Sequence, residues 1–263
     1  MLDVESIVDE ESLEAWLKSL PEERLREATV NLASRAALRV LPLALADETF
    51  WAGDVRLGAL PVFWAISISE VAAVYPISKI AADRADAHAT TGGFAILCIA
   101  DEDAAYFASA QTTANAAYAA AFAACVAAYE SAIEAAYAGG HAATSAAYQE
   151  FDLWPMIRWD ARSVANETTV RAAALWPNME NPFAAHWEKA KANMPRPGGE
   201  APTDGPTIET HGDWTFWVDW YGAHLAGNPF SVGLLKKIVE LPEDPWLTDP
   251  VELNRRVMEI YEA

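Results

Sequence analysis

The residues nearest to a metal-ligand pattern are His211-x-Asp213, followed by His224 eleven positions later. Two imidazoles and a carboxylate make the ligand set of a facial triad. Here, however, the HxD lies in a Pro/Gly-rich stretch with no β scaffold around it, so His211, Asp213 and His224 stand only as a weak metal candidate. A second set of acids, Asp83 and Asp86 with the run Asp101, Glu102, Asp103, could hold Mg²⁺ against a diphosphate in an all-helical protein. It lacks the intervening Asp pairs that such a site needs, and solvated helix ends explain it more simply. No GxSxG, GxxxxGK[ST] or GxGxxG occurs. Cys98 and Cys125 stand without a CxxC or an adjacent histidine, and read as reduced, buried thiols. His88 and His186 read as surface or satisfied core histidines. No catalytic residue is assigned, and no cofactor is expected.

The densest chemistry is aromatic. Trp214, Phe216, Trp217, Trp220 and Tyr221 fall within eight residues. Trp214, Trp217 and Tyr221 share one helical face, from which Phe216 and Trp220 point away. Either the segment is buried on two sides within the protein, or the surplus aromatics anchor a partner, with Asp213 and Asp219 contributing an acidic rim. These seven residues form the candidate partner-binding set.

The chain has 263 residues, enough for one large domain or two small ones. Acids outnumber bases 38 to 18, which disfavours phosphate binding to nucleic acid and attraction to anionic membranes. The net charge of −20 is uneven: residues 1–30 contribute −6 and 200–263 contribute −8, while 104–149 contribute only −2 and 150–199 none. A 52% hydrophobic fraction excludes a disordered acidic chain. The acidic start, MLDVESIVDEESLEAW, does not resemble a signal peptide, so a cytoplasmic location is expected.

The elements that would position these residues are helical. Ser12 is expected to cap a short helix ending near Ser19, and Pro21 to open a second helix with Glu22 and Glu23 in its first turn. Leu25, Ala28, Leu32, Ala36 and Val40 form one face of that second helix, with Arg35 and Arg39 as an i,i+4 pair on the neighbouring face; Pro42 should end or kink it. Residues 57–80 are the most apolar stretch, too short without interruption to cross a bilayer, and read as a buried helix. Between Ala104 and Ala147, 22 of 44 residues are Ala, with no charge from Ala104 to Tyr129. This predicts a long helix or hairpin. Tyr118, Phe122, Val126, Tyr129, Ile133 and Tyr137 make a stripe expected to fill gaps between closely packed helices, and Gly139-Gly140 should break the helix, with His141 opening a second run to about Glu150. Leu-Trp-Pro occurs at 153–155 and again at 175–177, two copies being too few for a solenoid. Residues 195–213, with four Pro and four Gly in 19, read as a linker or surface loop. It divides a helical body (1–194) from a C-terminal Trp-rich helical unit (214–263), in which Gly227 suits a helix C-terminus and Asp249-Pro250-Val251-Glu252 a helix start.

The pattern W-x-x-W-x-x-W-Y-x-x-x-L-x-G-x-P from Trp214 to Pro229, Trp246, the helix around Val257–Ile260, ESLEAWL…ASRAALRVLPL at 11–43 and the Ala/Tyr-rich centre together resemble a group of acidic, Ala/Trp-rich helical bacterial proteins. The resemblance implies a bacterial origin and carries over no catalytic residue. The fold expected is an all-α, Ala-rich helical bundle with a C-terminal helical unit after the linker. The function expected is non-enzymatic protein–protein interaction with a basic partner through aromatic anchors in an acidic rim. An immunity, inhibitor or accessory subunit of a bacterial defence or toxin system would fit, and a DNA mimic is a variant of that class. Two alternatives stand beside it: a membrane-perturbing effector built on the Ala-rich helices, which could also mediate oligomerisation, and a helical metal-dependent enzyme.

Overall fold

A computed structural model describes residues 2–47, 51, 59–75, 83, 86, 87, 89, 90, 104–129, 131–166, 173–177, 179–198, 207–242, 246 and 249–263. Among these the chain is all-α, with eleven α-helices and no strand. The bundle is organised around α2 (Glu22–Leu45), in which every residue from Ala28 to Leu45 is buried. Alanine, leucine and valine populate this run, so neighbours can approach on all sides. The apolar face expected from Leu25 to Val40 is therefore part of a helix buried around its whole circumference. Pro42 lies within the last turn and the helix continues to Leu45, correcting the expected break. Near a helix end, a missing N–H removes one bond without splitting the element.

α1 (Glu10–Lys18) is capped by Asp9, whose side chain accepts from the Ser12 N–H, while Ser12 Oγ accepts from the Asp9 N–H. The cap thus lies three residues before the serine expected to provide it. α3 (Ala59–Ala72) is buried along its whole length. α4 (Ala104–Tyr129) and α5 (Ala132–Ala147) form the Ala-rich hairpin, with Ser131 capping the second arm. Both arms pack on α2. Buried alanines from Ala110 to Ala124 line α4, and polar groups staple the arms: Ser145 Oγ donates to the Thr112 carbonyl at 2.8 Å, and Asn115 Oδ1 lies 2.9 Å from His141 Nδ1.

Two expectations for the hairpin are corrected. α5 runs unbroken through Gly139-Gly140, and the two glycines serve packing instead. A Cβ on Gly139 would stand 2.8 Å from Leu13 Cδ2, and one on Gly140 would overlap the Glu10 carboxylate. They are the seat of α1. The large-residue stripe fills the gap between the arms only in part, Tyr118 and Phe122 packing on His141, because the alanine faces bury best in the tight central contacts. Of its members only Val126 is fully buried, while Tyr129, Ile133 and Tyr137 are exposed.

The remaining helices are α6 (Trp154–Ala165), α7 (Ala184–Asn193), α8 (Ile208–His211), α9 (Thr215–Ala226), α10 (Val232–Val239) and α11 (Pro250–Glu262). Gly227 ends α9 in the left-handed conformation with φ 73°, and Asp249 caps α11 by accepting from the Glu252 N–H. The two Leu-Trp-Pro copies differ: the first opens α6, while the second lies outside any helix.

The boundary at 195–213 does not separate two cores. Pro195 accepts from the Trp214 N–H at 2.9 Å, closing the loop at its base, and α8 folds within it. Phe63 of α3 packs against Trp214, Trp217 and Trp220, and Trp64 stacks on Trp246 at 5.2 Å. Residues on both sides of the loop build one continuous core.

Candidate functional site

The five aromatic side chains of the expected binding set lie inside that core. Trp214, Phe216, Trp217, Trp220 and Tyr221 are each at most 1% exposed. α9 is buried on two sides. Trp214, Trp217 and Trp220 meet Phe63, Phe216 meets Phe230 and Tyr261, and Tyr221 packs on Trp187. This corrects the expectation that the set forms an accessible surface. α3 and the C-terminal helices enclose α9, and an aromatic segment contributes most when desolvated on every face. Of the two acids, Asp213 accepts from the Thr215 N–H and hydroxyl at the start of α9, and Asp219 is exposed and accepts from Tyr261 Oη at 3.1 Å.

The metal candidates are not assembled. His224 is buried, with Nε2 at 3.1 and 3.2 Å from the two carboxylate oxygens of Glu70. His211 Nδ1 instead lies 2.8 Å from Thr210 Oγ1. Among the described residues no group of three or more His, Cys, Asp or Glu is placed to hold an ion. Asp86 approaches Cys125, whose thiol is pushed up by burial and by the Asp86 charge, the reverse of an activated nucleophile. Asp101, Glu102, Asp103, Cys98 and His88 lie outside the described residues.

Two arrangements emerge that the sequence did not announce. The first is a buried ionic clamp. Arg35 Nε donates to Asp160 Oδ1 at 2.8 Å, and its two terminal nitrogens donate to the carbonyls of Ala173 and Ala174 at 2.8 and 2.9 Å. Arg39 donates to both carboxylate oxygens of Asp160 and to the Leu175 carbonyl, and its guanidinium lies over Trp176. Burial works to raise the Asp160 carboxyl, but the two guanidiniums outweigh it and hold the group below its ordinary value. Glu70, which accepts from Trp220 Nε1 at 3.1 Å, closes the cluster on the α3 and α9 side. The space among Asn31, Ser34, Arg35, Leu38, Glu70 and His224 is only about 10 Å³, room for one water at most. A substrate does not fit there, so the cluster ties α2, α3, α6, α9 and residues 173–175 together.

The second arrangement is open. A groove of about 480 Å³ is lined by Glu10, Gly140, Ala143, Thr144, Ala147 and residues 150–154. It brings three carboxylates, Glu10, Glu150 and Asp152, together with the half-buried rings of Phe151 and Trp154. The backbone that builds it is unusual. α5 ends in a Schellman turn, with the Phe151 N–H donating to Ala146 O and the Glu150 N–H to Ala147 O. The left-handed position of that turn, φ 57°, is held by Glu150. The equivalent position after α9 is Gly227, where a Cβ would press on the Ala174 backbone. Asp152 accepts from the Trp154 N–H at the start of α6. Glu10, seated over Gly140, has its carboxyl raised by burial and then by the charges of Glu14 and Asp9. The local signal was present in Gly139-Gly140 and in the acid–aromatic alternation Glu150-Phe151-Asp152-Leu153-Trp154; what joins them is the docking of α1.

No family model matches the chain, and comparison with curated proteins and with solved structures gives no match. The functional reading therefore rests on the residues themselves.

Proposed function

We propose that this protein is a non-enzymatic interaction module that binds a basic protein partner, in the manner of an immunity, inhibitor or accessory subunit of a bacterial defence or toxin system. The observation that carries the proposal is the groove between α1 and the α5–α6 turn, where Glu10, Glu150 and Asp152 surround Phe151 and Trp154. Carboxylates beside aromatic faces suit a Lys or Arg side chain, whose charge pairs with the acids while its stem and cationic head lie against the rings. The overall charge of −20 adds long-range attraction for a cation-rich partner. Arg35, Arg39, Asp160, Glu70 and His224 are engaged with one another or with main-chain carbonyls around a space closed to substrate, which supports a structural role for this cluster. No described helix is long and apolar enough to cross a membrane.

The test is fluorescence anisotropy with a labelled oligolysine. Binding should weaken as salt rises, fall several-fold in Glu10→Gln/Glu150→Gln, and fall further in Trp154→Ala. Salt-independent binding, or binding unchanged by the double charge removal, overturns the proposal.

A further inference from the structure

The groove does not end at Gly140. Along α5, Ile133, Tyr137, Gly140, Thr144 and Ala147 recur at steps of 4, 3, 4 and 3, the spacing of a seam that receives another helix. Ile133 and Tyr137 are 39% and 38% exposed and Thr144 and Ala147 are exposed, while the half-buried Gly140 carries the Glu10 carboxylate. Phe122 of α4 supports the large end of the seam, edge-on to Tyr137 at 5.3 Å and stacked on His141 at 5.2 Å. The other end is made of small residues and leads into the acidic groove. The seam rises about 21 Å along the helix, four turns of a facing helix.

We propose, building on the reading above, that this face of α5 docks an amphipathic helix of a partner protein, with the partner's apolar stripe on the seam and its Lys or Arg residues over Glu10, Glu150 and Asp152. A helix fits because a 4-3 stripe stays in register with a second helix crossing at about 20°. Large side chains at Ile133 and Tyr137 act as knobs, Thr144 and Ala147 let the partner's own large side chains come close, and Glu10, seated on Gly140, offers a carboxylate midway along the seam. A basic partner fits because residues 104–149 contain no Lys or Arg, so α4 and α5 offer it no repulsion, while Glu134, Glu10, Glu150 and Asp152 lie along or at the end of the seam. A second copy of this chain is disfavoured on the same ground: a two-fold contact through this face would set carboxylates against carboxylates.

Two peptides of identical Lys/Leu/Ala composition separate this proposal from the reading it rests on. One is patterned for an amphipathic helix and the other is scrambled to destroy the stripe; both are measured against the full-length protein by anisotropy, with circular dichroism reporting peptide helicity. The patterned peptide should bind roughly tenfold more tightly and gain helicity on binding. Thr144→Lys should abolish that advantage, with the protein's melting temperature unchanged, since residue 144 is exposed. Equal binding of the two peptides, with oligolysine binding intact, overturns the helix proposal and leaves the cation-binding groove standing. Loss of oligolysine binding as well overturns both. A peptide-free dimer in sedimentation that Thr144→Lys converts to monomer assigns the face to self-association and overturns the partner proposed here.

Discussion

Asp160 faces two guanidinium groups and is buried with them. Truncating it leaves two cations in the interior without their counter-charge, which typically costs about 3–5 kcal/mol. Asp160→Ala should therefore melt far below the wild type in denaturant titration, whereas a small effect would show that the clamp contributes little. The pH dependence has a definite sign. The folded carboxyl lies below its ordinary value, so its contribution is complete above the normal Asp range and is lost as pH falls through the depressed value. The stability gap between wild type and Asp160→Ala should narrow in that acid range and be constant above it. In the sequence, Arg35 and Arg39 are visible as a helical pair, but nothing marks a counter-ion more than a hundred positions away. Their partner is fixed only by the packing of α6 on α2.

At the scale of elements, the two Schellman turns make a natural comparison. Gly227 needs both its positive φ and the space a Cβ would take, whereas Glu150 adopts the same backbone region with a side chain. A non-glycine residue there costs on the order of 1 kcal/mol. Glu150→Gly should raise unfolding stability by about that amount while weakening oligolysine binding. A variant that gained stability without losing affinity would detach Glu150 from the site. Helix ends of the kind at Gly227 and Asp249 are legible in sequence because the chemistry is local. The hairpin itself was legible from its alanine content, but its orientation was not. The Tyr118–Tyr137 stripe reads as core because large apolar side chains usually are, yet in a bundle this crowded the alanine faces are the ones that fit, and Tyr129, Ile133 and Tyr137 turn outward. Likewise Gly139-Gly140 signals a break when read alone, and becomes a seat for Leu13 and Glu10 once α1 is in place.

For the whole molecule, the Pro/Gly-rich composition of 195–213 says nothing about which residues pack across it. Phe63, Trp64 and Glu70 find their partners in Trp217, Trp246, Trp220 and His224. A chain ending at residue 194 should therefore fail to melt cooperatively and should bind hydrophobic dyes; a sharp calorimetric transition from it would show that the first 194 residues form an autonomous unit. The same architecture governs biosynthesis. α2 leaves the ribosome well before the carbonyls and carboxylate that satisfy Arg35 and Arg39, which come at 160–175, and the wall over α3 arrives only with residues 214–246. The hairpin of residues 104–147 can cover α2 and part of α3 early, but the aromatic side of α3 stays open until residues 214–246 have been translated, so that part of the core closes late.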